Sequence, residues 1–318
     1  MIISFIICTY NREKYIYDCL SCLAKNTDQE DWEIVLVNNN STDSTAAECD
    51  RFVSDFQPAN YHYFIETQQG LSFARNRGIQ EARGDWFVFL DDDAMVGEDY
   101  VACLKKHLLQ HPEVGAFGGA IEPFFEGKKP EWLNPWSMGF VSAIDLGEEV
   151  KLFPKNAYPI GANMGISRDV INQVGMFNTS LGRSGNNLLG GEEKDIFNRI
   201  RHANIQIFYF PGIRVQHCIP PRRTTKEFIV KLGDGVGRSE QVRTRAIGKG
   251  FYAKRLFAEL VKWCGTIVLW CYYAIQGHHH KGDILVLFRY YVSKGLLTSL
   301  STPAISAKCG LLSLAVVL

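Results

Sequence analysis

The sequence lacks an uninterrupted apolar run of the roughly 18 residues that a membrane-spanning helix needs. The nearest is residues 263–275, thirteen positions that follow Lys262. It also lacks net charge. Its 34 Lys and Arg balance 34 Asp and Glu, which argues against nucleic acid as the main partner. A disulfide frame is missing too: nine cysteines, an odd number, are spaced irregularly from Cys8 to Cys309 in a chain too long to depend on cross-links. Cys19 and Cys22 form a C-x-x-C at helical spacing, which reads as buried neutral thiols rather than a redox or zinc pair. Residues 2–8 are too short for a signal peptide and have neither a basic lead nor a small-residue cleavage site, so a cytoplasmic location is expected. What is present is enough apolar material for a core. The 318 residues are 46% hydrophobic and 21% charged, which bounds the chain at about two domains or one large α/β domain with additions.

The balanced charge conceals an asymmetry. Residues 219–318 carry fifteen Lys and Arg against five Asp and Glu, so residues 1–218 are acidic by the same margin. The basic part interleaves apolar stretches (263–275, 284–288, 310–318) with Trp263, Trp270, Tyr272, Tyr273, Tyr290 and Tyr291 and with Lys281, Arg289, Lys294 and Lys308. Over 255–318 this pattern suits helices lying on a membrane surface. A helical region that buries those faces internally or in a homodimer is the alternative. Arg222-Arg223 and the pair Arg243 and Arg245 read as a solvated face or as a phosphate-binding site. His278-His279-His280 reads as a polar turn between two apolar helices.

The first half alternates two periodicities. Residues 2–8, 33–37 and 86–90 are short, β-branched or aromatic apolar runs of the kind that form buried parallel strands, with a weaker strand at 61–65. Helical spacing occupies 14–25, 44–55 and 71–82, with Ser41 as N-cap of the second. Strand and helix in alternation predict a mostly parallel sheet with right-handed crossovers. Ligands of such sheets bind beyond the carboxyl ends of the strands, where the loops after residues 8, 37 and 90 would meet. A later strand at 208–215 is expected to break at Pro211-Gly212 before Gln216-His217.

Asp91-Asp92-Asp93 ends the third strong strand. Adjacent carboxylates repel one another unless a cation joins them, and hard oxygen ligands suit Mg²⁺ or Mn²⁺. A solvated acidic turn before a helix near Glu98 is the plain alternative. A phosphatase with an aspartyl nucleophile would want an acidic pair after the first strand, which ends in Thr9 instead. The cluster Gly190-Gly191-Glu192-Glu193-Lys194-Asp195 opens a helix. Its carboxylates are favoured there by the helix dipole, and one could equally serve as a general base. His217 alone reads as a metal ligand or an ordinary loop residue.

Seven segments, IICTYNRE, IVLVNNNSTDST, GLSFARNRGI, GDWFVFLDDDA, PIGANMGISRDV, GGEEKDIFNRI and FYFPGIRVQH, stand in an order that resembles family 2 glycosyltransferases. The likeness covers residues 2 to about 217. It implies a GT-A fold: an α/β, Rossmann-like, nucleotide-sugar-binding and mostly parallel sheet. A catalytic unit of residues 1–218 is expected, divided into a nucleotide-binding half (1–115) and an acceptor half (116–218). Residues 219–318 follow as a helical C-terminal extension. The resemblance further implies a nucleotide-sugar donor, a divalent metal (Mg²⁺ or Mn²⁺) and inversion at the anomeric carbon.

By the same resemblance, Thr9, Tyr10 and Arg12 match the loop that holds the base. Asn39 stands where the family usually has an aspartate that accepts from a uracil, which leaves uridine expected but less firmly tied. Gln69, Gly70, Arg75 and Asn76 match the segment along ribose and diphosphate. Asp91 and Asp92 match groups at the ribose or donor sugar, and Asp93, Asp91 and His217 match metal ligands. Glu192 and Glu193 match the pair whose second member is the base. Asn163 and Trp132 are candidates for acceptor contacts, Trp132 and Trp136 by stacking on a sugar or by packing. Residues 179–191 are rich in Gly, Asn and Ser and are expected to form a loop over the donor. The basic, aromatic tail suits a saccharide or polyprenyl-diphosphate-linked acceptor, surface-polysaccharide synthesis and a peripheral position on the inner face of the plasma membrane. Two other readings remain. A nucleotidyltransferase would want a glycine-rich loop after the first strand, and residues 9–15 contain no glycine. A non-catalytic sugar- or membrane-binding relative would have lost one carboxylate set, and both are present.

Overall fold

A computed structural model describes residues 1–28, 30–183 and 190–298. The first half alternates as its periodicities require: β1 (Ile3–Thr9), α1 (Ile16–Ala24), β2 (Trp32–Asn38), α2 (Thr45–Phe56), β3 (Tyr61–Ile65), α3 (Leu71–Glu81) and β4 (Trp86–Asp91). The order β3-β2-β1-β4 is parallel throughout. These strands are apolar on both faces because both faces are covered. Phe5, Ile7, Ile34, Leu36 and Val88 join Leu20 of α1 in one core, while Ile6, Val35, Val37, Phe87 and Phe89 join Ala74 and Ile79 of α3 in the other. Ser41 does not cap α2. Its hydroxyl accepts from the Asn11 amide at 3.0 Å, and Asp43 accepts from the Thr45 amide where the helix starts. Ser41 thus ties the loop after β2 to the loop after β1.

The chain continues through β5 (Ala94–Val96), α4 (Tyr100–Gln110), β6 (Ala116–Phe125), β7 (Lys151–Leu152), β8 (Met164–Ser167), α5 (Arg168–Val174), α6 (Glu192–His202) and β9 (Ile207–Ile219). These strands extend the sheet as β4-β8-β6-β9-β5, with β7 on the side of β9. β8 runs antiparallel to β4 and β6, and β5 antiparallel to β9. The aspartate triplet is therefore a turn between two strands rather than a loop leading to a helix.

Pro211-Gly212 does not end β9. The register with β6 shifts between Gly119 and Ala120, so Pro211, Gly212 and Ile213 bulge out and pairing resumes at Arg214. Asn163 stitches this bulge: its side-chain amide donates to Ala120 O at 3.0 Å and Ile213 O at 2.8 Å, and its oxygen accepts from the Tyr100 hydroxyl at 2.6 Å. From Ile213 onward, Ile213, Val215 and His217 are buried in alternation.

Three helices follow, α7 (Lys226–Ile247), α8 (Lys249–Ile275) and α9 (His279–Leu297), and His278 stands in the short turn between the last two. Ile229, Tyr273, Ile284 and Leu285 of these helices share a core with Trp132, Phe140, Val141 and Ile219. Trp132 packs: it is buried, and its indole N–H donates to Thr224 O at 3.0 Å. Trp136 stays exposed. Arg243 is not a free surface charge, since Glu240 takes it at 3.1 Å. Among the described residues no helix is long and apolar enough to cross a membrane. The eight described cysteines are free thiols, Cys19 and Cys22 among them.

Candidate active site

Register sets the site. Cys8 lies opposite Asp91 and Thr9 opposite Asn38, so the loops leaving β1, β2 and β4 emerge side by side. The Asn39 amide donates to Thr9 O at 2.9 Å across that edge. The β5–β9 pairing then places Ala94 against His217, and the Cys218 amide donates to Asp93 O at 2.9 Å. Two sequence-distant segments thereby deliver one cluster. His217 Nε2 lies 3.0 Å from Asp93 Oδ1, and donor atoms of Asp91, Asp93 and His217 fall within 4.8 Å of one another.

Two arginines surround the cluster. Arg12 Nε is 3.0 Å from Asp92 Oδ1 and its Nη2 is 3.6 Å from Asp93 Oδ2. Arg223 Nη1 is 3.2 Å from His217 Nε2 and 4.0 Å from Asp93 Oδ2. The three carboxylates consequently differ. Burial pushes Asp93 up, but His217, Arg12 and Arg223 outweigh it and hold the group below the usual carboxylate range. Asp92 is pushed up to about 7 by burial, with Asp93 and Asp91 adding to the rise against Arg12. Asp91 is the open member, with 34% of its side chain exposed. Two carboxylates and an imidazole are a fitting donor set for Mg²⁺ or Mn²⁺. The buried Nδ1 of His217 also has no partner among the described residues.

The second half of the site is the start of α6. Gly191 takes φ 99°, a left-handed conformation that glycine adopts without strain, and turns the chain into the helix. Glu192 and Glu193 then occupy its first turn. Arg75 of α3, itself buried, reaches both: Nη1 is 3.1 Å from Glu192 Oε1 and Nη2 is 3.2 Å from Glu193 Oε1. Its Nη2 is also 3.8 Å from Asp91 Oδ1. The guanidinium expected along the diphosphate is therefore turned toward carboxylates. Glu193 Oε1 also accepts from the Gly161 amide at 2.7 Å. A Cβ on Gly161 would stand 1.9 Å from Arg75 Nη2, so only glycine allows this approach. Burial and the neighbouring Glu192 push Glu193 up to about 7 against the pull of Arg75. Glu192 is closed off, whereas Glu193 keeps 19% of its side chain exposed. Of the pair, Glu193 is the more open to solvent.

The remaining expected residues divide. Tyr10 is exposed and Arg12 partly so, at the mouth of the β1 loop. Thr9 is buried beneath it. Asn39 is buried and engaged: its oxygen accepts from the Gly70 amide at 2.7 Å and from Gln69 Nε2 at 3.2 Å, and its amide donates to Glu66 O and Gln68 O. Asn76 exchanges two hydrogen bonds of 2.9 Å with the Phe177 backbone. Asn163 and Trp132, expected at the acceptor, are the bulge stitch and a core ring. Part of the 179–191 segment lies on α3, where Arg183 O accepts from the Leu71 amide and Leu181 O from the Ser72 hydroxyl. Residues 184–189 of that segment lie outside the described residues.

Sequence reasoning passed over three contributors. Arg223 was one half of a basic pair with nothing local to place it against His217. Gly161 carried no signal beyond its motif. Lys194 belongs to a buried ionic chain: its Nζ lies 2.8 Å from Glu240 Oε1, Glu240 meets Arg255 at 3.0 Å, Arg255 meets Glu259 at 2.7 Å, and Glu259 meets Arg289 at 3.2 Å. With the Gly190 amide donating to Ser239 Oγ at 2.9 Å, this chain fastens the start of α6 to the C-terminal helices.

Comparison with known proteins bears on this geometry. The glucosyl-dolichyl phosphate glucuronosyltransferase of Haloferax volcanii is 27% identical over 252 residues, 76% of this chain and 77% of that protein. The succinoglycan biosynthesis protein ExoM of Rhizobium meliloti is 25% identical over 226 residues, 71% of this chain and 69% of that one. Other curated glycosyltransferases match about a third of the chain, and those matches span only 15% to 28% of their length. Among solved structures, the mannosyltransferase PcManGT from Pyrobaculum calidifontis, in complex with GDP-Man and Mn²⁺, superposes with a TM-score of 0.62 at 16% identity, covering 93% of this chain and 87% of its own. That likeness shows a shared GT-A fold. The model of the family described as Glycosyl transferase family 2 matches residues 4–175, which span β1 to α5 and include the aspartate turn, Arg75 and Gly161. The chain therefore belongs to glycosyl transferase family 2 and is a glycosyltransferase.

Proposed function

We propose that the protein is an inverting, divalent-metal-dependent glycosyltransferase. It takes a sugar from a nucleoside-diphosphate donor, a UDP-sugar being the first candidate. The acceptor is a saccharide or a polyprenyl-diphosphate-linked glycan in surface-polysaccharide synthesis, met at the cytoplasmic face of the membrane. Residues 1–218 form the catalytic unit, with 1–115 holding the donor and 116–218 the acceptor, and the later helices brace it. One observation carries the reading. Arg75 joins Asp91, at the candidate metal cluster, to Glu193, the accessible carboxylate.

In this reading Tyr10 and Arg12 border the nucleotide, while Asn39, Gln69 and Gly70 shape the loop beside it. Asp91, Asp93 and His217 would hold Mg²⁺ or Mn²⁺, which when bound neutralises the diphosphate. Glu193 takes the proton of the acceptor hydroxyl as that oxygen forms its bond to C1. The bond from C1 to the diphosphate oxygen breaks, and its electron pair leaves with the nucleotide. A single displacement inverts the anomeric centre. Arg75 and the Gly161 amide hold Glu193 by one oxygen, which fixes the direction of the other; such preorganisation supplies much of an enzyme's acceleration. Support for a lipid-linked acceptor comes from the name of the Haloferax relative, and support for a metal and a nucleotide sugar from the ligands of the Pyrobaculum structure.

Calorimetry of UDP, GDP and dTDP, each with and without Mn²⁺, on wild type and Asp93→Ala, tests this. Binding of one nucleotide that needs both Mn²⁺ and Asp93 is expected. No binding under any condition would overturn it.

A further inference from the structure

We propose that the outer face of α8 docks on an anionic lipid bilayer, the helix lying in the plane of the headgroups. The inference is independent of the catalytic reading. With about 100° between successive residues, Phe257, Val261, Cys264, Val268, Cys271 and Ile275 fall on one line of the helix, and all are exposed. Phe257 is 68% exposed, Val268 67% and Ile275 87%. Exposed Ile267 and Tyr272 mark the edges, so the apolar arc is about 140° wide at that spacing. A seam between two helices is narrower than this, and an interfacial helix is this broad.

Charge selects the occupant. The exposed ionic groups of α8 are Lys249, Lys254 and Lys262. The first two lie at the arc's edges, whereas Lys262 stands about 80° past one edge, toward buried Glu259 and Thr266. The one acid of the helix, Glu259, is buried and taken by Arg255 and Arg289. An apolar face edged by lysines and free of exposed acid complements anionic headgroups, toward which the ammonium groups can extend while their stems stay in apolar contact. A second copy of the same face would bring lysines and no acid to pair with them. The helix lies on the bilayer rather than through it, since no described helix can cross a membrane.

Co-sedimentation of the full chain with vesicles tests this, using phosphatidylglycerol–phosphatidylcholine mixtures and pure phosphatidylcholine. Binding to the anionic vesicles is expected, weakened by salt, with pure phosphatidylcholine bound less. Phe257→Glu/Val268→Glu is expected to lower partitioning roughly tenfold or more. Lys249→Glu/Lys254→Glu is expected to lower it on anionic vesicles alone. Thermal melting checks that each variant folds, and the lysine pair keeps the test decisive if the apolar pair does not. Equal binding by wild type and variants, or no binding to anionic vesicles, overturns the proposal. So does a dimer in light scattering that Phe257→Glu/Val268→Glu splits, because the face is then occupied by a second copy.

Discussion

Glu193 holds two hydrogen bonds on one oxygen and shares Arg75 with Glu192. Its replacement by Gln keeps that shape and removes the proposed base. Turnover is expected to fall about 10³-fold, within the usual range for a lost general base, while donor affinity changes little. The pH profile separates a base from a merely structural carboxylate. Burial and Glu192 push Glu193 up to about 7, so below that pH it is protonated and cannot accept. The wild-type rate should therefore climb as pH rises through about 7, and this limb should vanish in Glu193→Gln. A rate that falls over the same interval would reject the assignment. Gly161→Ala is the companion test. Its Cβ would press on Arg75 Nη2 at 1.9 Å and Glu193 Oε1 at 2.6 Å. A misplaced base of this kind is expected to cost turnover roughly 10²-fold, measured as kcat with donor affinity as control. At this scale the sequence disclosed identities better than duties. Asp93 and His217 meet at 3.0 Å, and Arg75 links Glu193 to Asp91. Asn39, Asn76 and Asn163 came from the same motifs, yet their amides are spent on backbone groups. Which way an asparagine faces depends on partners its neighbours in sequence do not reveal.

Alternation of strand and helix was legible because period two and period 3.6 are local properties. β5 was not, because a three-residue strand after three aspartates has no pattern of its own and exists through pairing with β9. Pro211 misled for the opposite reason. The local rule for proline in strands is sound, but a bulge satisfies it. Asn163→Leu probes that bulge. It strips partners from Ala120 O, Ile213 O and the Tyr100 hydroxyl, and each buried polar group left unpaired costs about 1–3 kcal/mol. Urea unfolding should show a loss of several kcal/mol, and Mn²⁺ affinity should fall as well, because His217 follows the bulge. An unchanged midpoint would contradict the stitch. The ionic chain behind α6 makes a second test. Glu240→Gln leaves Lys194, Arg243 and Arg255 facing a neutral group in a buried setting, a loss of about 3–5 kcal/mol for a broken buried pair. Burial raises the Glu240 carboxyl, but Arg243 and Lys194 win and hold it down to about 2. Its stabilisation is thus complete above the ordinary glutamate range and drains away as pH falls toward about 2. Acid titration of wild type should reveal this loss, and the variant should be correspondingly less sensitive to acid.

The opposite charges of the two parts of the chain were plain in composition, but their consequence was not. The basic part is bound to the start of α6 through Lys194–Glu240 and Gly190–Ser239, and it covers Trp132, Phe140 and Val141 with apolar helix surface. Arg223 even enters the candidate metal cluster from beyond the last strand. The C-terminal helices therefore brace the start of α6, apart from any membrane contact. A chain ended after Thr225 isolates this role, because it keeps Arg223 while removing α7, α8 and α9. The ends of β1, β2 and β4 do not depend on those helices for their register, so donor and Mn²⁺ affinity should stay within about threefold, a change of less than 1 kcal/mol. The start of α6 loses both of its fastenings, so Glu193 should wander and turnover should fall roughly tenfold or more, as for other misplaced catalytic groups. The uncovered Trp132–Phe140 face should bind an apolar dye and promote aggregation. Donor affinity and turnover falling together would mean that the helices merely keep the fold intact. A loss confined to turnover would mean that they hold the base in place, and adding Lys194→Ala to the shortened chain should then change nothing further.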